Sequence, residues 1–205
     1  MRALASLMMG YLIGCMNPAA LVGKKKHVDL TREGTGNLGA TNTALVLGKK
    51  AGYFVLLFDM FKSVFSYKIA KCVFARLPYA GIIAGIGVLI GHCFPVFMHF
   101  RGGKGLASFG GLVLAHDPLL FVVLLVLGLT VAYILDYGVW LAVTATVLFP
   151  IVSCLRTGDP KDLILTAIAS GLIFCMHLTN LKRAITQEDP IRAKDGLRKI
   201  FGKQS

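Results

Sequence analysis

Three short polar stretches hold the residues of this chain that are best suited to bind phosphate or move a proton. The first, residues 32–42, contains Gly34, Gly36 and Gly39 with Asn and Thr between them. Because glycine lets the backbone turn sharply and approach a ligand closely, several N–H groups here can point at one anion. Phosphate is the anion that such nests bind above all. A flexible surface loop is the alternative interpretation.

The second stretch comprises residues 91–95 and the loop 100–105, which ends Gly102-Gly103-Lys104-Gly105. This loop opens a short apolar segment. A helix that begins there would offer free N–H groups and a positive dipole end to an anion, and Lys104 would add a charge. The spacing of an ATP-binding P-loop is absent, so nothing here indicates nucleotide hydrolysis. A tight turn with one cytoplasmic lysine is the alternative.

The third stretch places His177 and Asn180 three residues apart, which puts both on one face of a helix, with Lys182 and Arg183 just beyond. Such a group can orient a polar substrate and accept its proton. A helix end with cations reaching the membrane surface explains the same residues equally well.

Three further ionisable residues lie in apolar surroundings. His92, near the end of an apolar run, is more often a structural hydrogen-bonding group than a catalyst. Asp59 and Lys62 lie three residues apart inside another run. Since charges at membrane depth are costly, these two are expected to face the interior of the protein and pair. The histidines and cysteines lack metal-ligand spacing, so no metal and no cofactor is expected.

The composition indicates which elements hold these stretches. Of 205 residues, 56% are hydrophobic and 16% are charged, and the mean hydropathy is +0.71. These values exclude a disordered chain, a nucleic-acid-binding tail protein and a disulfide scaffold, and they favour an all-α integral membrane protein. The net charge of +12 then indicates cytoplasmic loops and contact with anionic lipid, not nucleic acid.

The chain is predicted to fold as one polytopic domain, residues 1–205, in which 187–205 form a basic cytoplasmic tail. About seven apolar runs are candidate membrane helices, and the fourth is short or re-entrant. The predicted runs are Ala3–Val22, Ala51–Val73, Tyr79–Phe97, Leu106–Ala115, Pro118–Leu135, Val139–Leu155 and Leu163–Leu178. With seven crossings, most Lys and Arg residues share a side with the C-terminus, which places that side, and the three polar stretches, in the cytoplasm.

Read together, the three stretches resemble the bacterial acyl-phosphate:glycerol-3-phosphate acyltransferase family, PlsY. The resemblance begins near Asn17-Pro18 and extends to about residue 185. It also takes in Asp59 and Lys62. The motifs that carry it are Gly36-Asn37-Leu38-Gly39-Ala40-Thr41-Asn42, Leu47-Gly48-Lys49-Lys50-Ala51-Gly52, Gly91-His92-Cys93-Phe94-Pro95-Val96-Phe97, Gly102-Gly103-Lys104-Gly105, and His177, Asn180, Lys182 and Arg183.

The resemblance implies a multi-pass enzyme of the bacterial cell membrane that initiates phospholipid synthesis. Its substrates would be acyl phosphate and glycerol 3-phosphate, its products lysophosphatidic acid and phosphate, and it would need membrane lipid but no obligate protein partner. The expected catalytic residues are Lys104, His177, Asn180 and Thr35. The expected substrate-binding residues are Gly34, Gly36, Asn37, Gly39, Thr41, Asn42, His92, Gly102, Gly103, Gly105, Lys182 and Arg183.

The chain departs from the family pattern mainly around the acceptor. Thr35 replaces a serine, Leu45 replaces an arginine expected to bind phosphate, and residues 135–139 and 178–179 lose a cation and several polar groups. Lys49, Lys50 and Arg32 are candidates to replace the arginine. Three interpretations therefore stand: a family acyltransferase with a rearranged pocket, a paralogue with another acyl acceptor, and a non-catalytic membrane protein that binds phosphate or lipid.

Overall fold

The computed structural model describes residues 1–187, and within that range the chain forms nine α-helices and a 3₁₀ turn, with no β-strand. The predicted basic tail lies outside the described residues except for Gln187. The helices are α1 Arg2–Gly14, α2 Pro18–Lys25, α3 Ala40–Leu47, α4 Lys49–Val73, α5 Ala80–Cys93, α6 Leu106–His116, α7 Pro118–Leu135, α8 Val139–Thr157 and α9 Pro160–Ile185. The chain divides into two compact units, Met1–Pro118 and a second that begins at Leu119.

Five segments are long and apolar enough to cross a membrane, which confirms the all-helical membrane class. They are Arg2–Lys25, Ala80–Met98, Pro118–Leu135, Val139–Thr157 and Pro160–Ile185. The predicted count of seven depends on two more helices, α4 and α6. The 11 residues of α6 span about 16 Å, roughly half the hydrocarbon thickness of a bilayer.

In the first unit, α1 and α5 pack with their backbones almost in contact. Each helix carries two glycines four residues apart, Gly10 and Gly14 on α1 and Gly87 and Gly91 on α5. A Cβ atom on any of these glycines would collide with a backbone carbonyl of the facing helix. Small residues at this spacing let membrane helices approach closely, so the sequence itself fixes this pair.

The first predicted span is interrupted, because the chain breaks helical geometry between α1 and α2. Asn17 accepts a hydrogen bond from the Ala20 N–H at 2.9 Å, and Pro18 occupies the first helical position. This cap starts a new helix. The break frees the carbonyls of Gly14 and Met16, and the Lys62 ammonium donates to them at 3.2 and 2.9 Å.

Helix α3 was not predicted, since its residues read as part of a polar loop. It buries Asn42 and Thr43 and packs on the start of α4, where the Cβ of a residue in place of Gly52 would lie 2.9 Å from the Ala44 Cα. Helix α6 packs on the same α4 just as tightly, with Gly111 against the backbone of Met60. Helix α4 therefore packs against both α3, which follows the first polar loop, and α6, which follows the second.

The second unit contains α7, α8 and α9. Helices α8 and α9 pack along their lengths, and the last turns of α9 lie against the beginning of α8 through a buried cluster of Tyr137, Val139 and Ala184. At the opposite end, Ser153 on α8 donates a 2.5 Å hydrogen bond to the buried carboxylate of Asp162 on α9. The two ends of the hairpin are thus fixed by different chemistry, one apolar and one polar.

Candidate active site

The first predicted stretch is folded around the side-chain amide of Asn42. This residue is fully buried; its Nδ2 donates to the carbonyls of Leu30 and Glu33 at 2.9 and 3.1 Å. Its Oδ1 accepts the Thr35 N–H at 2.6 Å. Three hydrogen bonds from one side chain hold residues 30–35 against α3, so the loop has a defined shape.

Most backbone N–H groups of this loop, which were predicted to bind an anion, donate hydrogen bonds to acceptors within the loop or on α3. Besides that of Thr35, the N–H groups of Gly36, Asn37 and Gly39 donate to Glu33, to the Thr35 hydroxyl and to Asn37 respectively. The N–H groups of Ala40, Thr41 and Asn42, in the first turn of α3, are the ones that the helix itself leaves without an acceptor, since its first bond runs from the Thr43 N–H to the Gly39 carbonyl. Substrate binding by this loop remains a prediction.

The second loop folds back onto the end of α5. Gly102 and Gly103 donate to the carbonyls of Cys93 and His92, each at 3.1 Å. Gly105 then takes a left-handed conformation, φ +79°, as the N-cap of α6, which a side chain would strongly disfavour. Lys104, half-buried, stands immediately before the first turn of α6.

The two loops meet at Gly103. A Cβ at this position would collide with the His92 Nε2 atom and would lie 2.6 Å from the Leu38 carbonyl oxygen. That same carbonyl is 3.4 Å from the Asn17 Nδ2 donor. The structure therefore brings together the loop 34–39, the loop 102–105 and the His92 ring, as the sequence predicted for this part of the site.

Behind this meeting point lies a buried polar network in the helices. The predicted pairing of Asp59 with Lys62 is confirmed, with the Lys62 ammonium 2.7 Å from the carboxylate. His92 also belongs to the network, since its Nδ1 lies 2.9 Å from Lys62 Nζ and 3.3 Å from Asp59 Oδ1. Sequence reasoning treated His92 separately, because nothing in the spacing joins residues 30 positions apart.

In the second unit, His177 is 7% exposed on the last third of α9. Its Nδ1 lies 2.9 Å from the carbonyl of Ile173, which can only accept, so Nδ1 carries the proton. In the neutral ring the lone pair then resides on Nε2. Asn180 follows one turn later, and the exposed Lys182 and Arg183 end the helix.

A pocket of about 470 Å³ that sequence reasoning missed is lined by Leu38, by residues of α2 and by the turn that follows α2. Its polar lining comes from Lys24, His27, Asp29 and Thr31, none of which was predicted to bind substrate. Hydrogen bonds from Thr31 hold the pKa of Asp29 below its usual value. The cavity is formed by the turn after α2, where the sequence offers only charged residues without a motif.

Comparison with known proteins identifies the class to which this helical membrane architecture belongs. The family model "Glycerol-3-phosphate acyltransferase" matches residues 4–187. The glycerol-3-phosphate acyltransferase of Bacillus velezensis is 34% identical over 90% of this chain and 94% of its own length. The corresponding protein of Thermoanaerobacter sp. strain X514 is 36% identical over 90% and 93%.

Solved structures agree with these relatives. The crystal structure of PlsY, an integral membrane glycerol 3-phosphate acyltransferase, in its glycerol 3-phosphate form, superposes with a TM-score of 0.83 at 30% identity, covering 91% of this chain and 94% of that one. Its lysophosphatidic acid form gives 0.81, with 91% and 93% covered. The chain is thus a multi-pass membrane protein with bacterial relatives.

The chain belongs to the glycerol-3-phosphate acyltransferase family. The resemblance inferred from the motifs is confirmed, and so is the enzyme class, an acyltransferase that acts on glycerol 3-phosphate. The roles of the individual residues remain predictions.

Proposed function

We propose that this chain transfers a fatty acyl group from an acyl phosphate to the 1-hydroxyl of glycerol 3-phosphate, giving lysophosphatidic acid and phosphate. The hydroxyl oxygen attacks the acyl carbon, and the bond from that carbon to the phosphate oxygen breaks. The electron pair leaves with the phosphate. Because the donor is a mixed anhydride with a good leaving group, the enzyme mainly has to align the reactants and hold negative charge.

The meeting of the two loops with His92 at Gly103 is the observation that carries the donor side of this proposal. The first turn of α6 presents N–H groups and a positive dipole end, and Lys104 stands beside them. We assign the acyl-phosphate phosphate to Lys104, to the 102–105 loop and to the start of α3. Thr35 and Asn42 support this cradle from within the first loop.

The tautomer of His177 supports the part of the proposal that concerns the acceptor, glycerol 3-phosphate. With Nδ1 donating to Ile173, Nε2 is the basic atom of the ring, and it takes the proton that the attacking hydroxyl loses. Asn180 orients the acceptor from the same helix face, and Lys182 and Arg183 attract its phosphate. These roles rest on the positions of the residues within the second unit.

We further propose seven crossings, with α4 and α6 completing the five longer spans, and with the site and C-terminus in the cytoplasm. The hydrocarbon tolerates Asp59 and Lys62 on α4 because both are buried and paired. Fusing alkaline phosphatase or green fluorescent protein to the C-terminus tests the orientation. The green fluorescent protein fusion should fluoresce and the alkaline phosphatase fusion should be inactive. The reverse pattern would overturn the cytoplasmic placement of the C-terminus.

The reaction itself is tested with purified protein in lipid, palmitoyl phosphate and glycerol 3-phosphate. Phosphate and lysophosphatidic acid should appear in equal amounts. Lys104→Ala and His177→Ala should each lower the rate by at least about 100-fold. Lys161→Ala removes an exposed lysine from the other end of α9 and serves as the matched control, with unchanged rate.

Other outcomes would each assign a different function. Phosphate release without lysophosphatidic acid, restored to acylated product by another alcohol, would indicate a different acceptor, as the change to Leu45 suggests. No turnover by folded protein would indicate a binding role. Full activity in both alanine variants would contradict the proposed residue roles.

A further inference from the structure

The side chains of Asp59, Lys62 and His92 form a polar cluster, 1–3% exposed, between the helices of the first unit. The Lys62 ammonium has four neighbours within hydrogen-bond distance. They are Asp59 Oδ1 at 2.7 Å, the Met16 carbonyl at 2.9 Å, His92 Nδ1 at 2.9 Å and the Gly14 carbonyl at 3.2 Å. One ion pair alone would not require this convergence of α1, α4 and α5 on a single cation.

The tautomer of His92 is assigned from the shorter of the two contacts that its Nδ1 atom makes, 2.9 Å to Lys62 Nζ against 3.3 Å to Asp59 Oδ1. An ammonium group only donates, so the Nδ1 atom that faces Lys62 accepts, and the ring proton resides on Nε2. A doubly protonated ring would instead place a second cation 2.9 Å from Lys62, which a buried site does not favour. The Nε2–H donor therefore faces the Gly103 backbone, where the two loops meet.

The same ammonium is connected to both loops of the site. It donates to the carbonyl of Met16, the residue before Asn17. The Asn17 side chain in turn donates to the Leu38 carbonyl of the first loop. It also contacts the ring of His92, and the backbone carbonyl of His92 accepts the Gly103 N–H of the second loop. Each connection is two hydrogen bonds long; the first ends at the Leu38 carbonyl and the second at Gly103, and these two residues lie against each other.

We propose that Lys62, charge-balanced by Asp59, is a positioning residue for acyl transfer: it sets the His92 tautomer and aligns the two phosphate loops. This inference rests on the proposed function. It goes beyond a pair that stabilises the fold, because it predicts that loss of the pair changes the binding of one substrate selectively.

The test is the double variant Asp59→Asn with Lys62→Met, which leaves no unpaired buried charge. Its KM for palmitoyl phosphate should rise at least about 10-fold, while its KM for glycerol 3-phosphate stays within twofold of wild type. Ser66→Ala is the matched control, since Ser66 is buried on the same helix and its hydroxyl has no hydrogen-bond partner among the described residues. It should change neither KM.

A merely structural role predicts a different result, because a smaller folded fraction lowers the apparent kcat and leaves both KM values unchanged. That result would overturn the proposal. If the double variant does not fold, Lys62→Arg carries the test: it keeps the charge but not the compact geometry. A rise of about threefold or more in the KM for palmitoyl phosphate supports the proposal, and an unchanged KM overturns it.

Inorganic phosphate provides a readout that does not need turnover. Phosphate should raise the melting temperature of the wild-type protein and of Ser66→Ala, and should raise that of the double variant less. With saturating glycerol 3-phosphate present to occupy the acceptor region at Lys182 and Arg183, an equal shift in all three proteins would overturn the positioning role. A wild-type protein that binds phosphate but makes no lysophosphatidic acid would contradict the proposed function alone.

Discussion

The two regions assigned to catalysis are constructed in opposite ways. The loops 30–42 and 102–105 owe their shape to contacts between residues far apart in sequence, such as Asn42 with Leu30 and Gly103 with His92. The His177 region is one helix face, and the hydrogen bond of His177 goes to a carbonyl four residues earlier on the same helix. A loop site depends on packing throughout its unit, whereas a helix-face site depends chiefly on its own helix.

This difference predicts how each region responds to mutation. Changes behind the loops should damage stability and substrate binding together. Changes on the face of α9 that carries His177 and Asn180 should lower turnover and leave folding almost untouched. This contrast is tested by substitutions at Gly103, Asn42, Asn180, Leu45 and Gly171, in order of decreasing expected effect.

Gly103→Ala should have the largest effect. The added Cβ would collide with His92 Nε2 and press on the Leu38 carbonyl, separating the two loops. A displacement of about 1 Å at such a site costs about 100-fold in rate, so kcat/KM should fall by at least that factor. Gly171→Ala, where a Cβ would meet nothing within 4 Å, is the control and should keep its activity within about twofold. Equal activity of the two variants would mean that the loops need not touch.

Asn42→Ala and Asn180→Ala compare the same chemical change in the two regions. The first removes three hydrogen bonds, one buried and two partly buried, worth about 3 kcal/mol together, so the melting temperature should fall by about 5–10 °C. Asn180→Ala should lower kcat about 10-fold and change the melting temperature by less than about 3 °C. Thermal unfolding in detergent, beside steady-state kinetics, measures both. A large loss of stability in Asn180→Ala would contradict the contrast.

Leu45→Arg should strengthen binding of the acceptor. Leu45 lies on α3 and is 54% exposed, so an arginine has room there. A charge-assisted hydrogen bond to phosphate is worth about 1.5–3 kcal/mol, and the KM for glycerol 3-phosphate should fall about 10-fold. Leu45→Gln, of similar size without the charge, should not reproduce this. An unchanged KM would count against an acceptor pocket altered at this position.

Gly171→Ala should have the smallest effect. This glycine lies inside α9, and a Cβ there would meet nothing within 4 Å. Alanine in a helix interior is about 0.5–1 kcal/mol more stable than glycine, so the melting temperature should rise by about 1–4 °C with activity within about twofold. A lower melting temperature would show that α9 packs more closely than its exposed surface indicates.

The sequence predicted the long helices well because apolar length is a local property. Helix α7 runs from Pro118 to Leu135 as predicted, and α4 and α6 end within two residues of their predicted bounds. The interruption at Asn17 and helix α3 were missed, although the Asn-Pro pair is a recognisable cap. Both features are short, and each depends on partners that periodicity does not show.

The site was predictable in its residues and less so in its connections. Glycine, lysine and histidine at the right spacing indicated phosphate chemistry, and the family match confirms that class. The N–H groups of Gly36 and Asn37, however, are occupied inside the loop. The inclusion of His92 in the Lys62 cluster depends on three helices packing together, and no local pattern encodes that.

The break between α1 and α2 has a consequence for how the chain enters the membrane. Met16 and Gly14 leave the ribosome 46 and 48 residues before Lys62, the donor for their carbonyls. At roughly 5–20 residues per second, translation separates them by about 2–10 s. A backbone carbonyl without a hydrogen-bond donor is unfavourable in the hydrocarbon. For that interval, the end of the first span that contains Gly14 and Met16 therefore has to stay hydrated. The first span can therefore bury its break only once α4 has entered beside it and supplied Lys62.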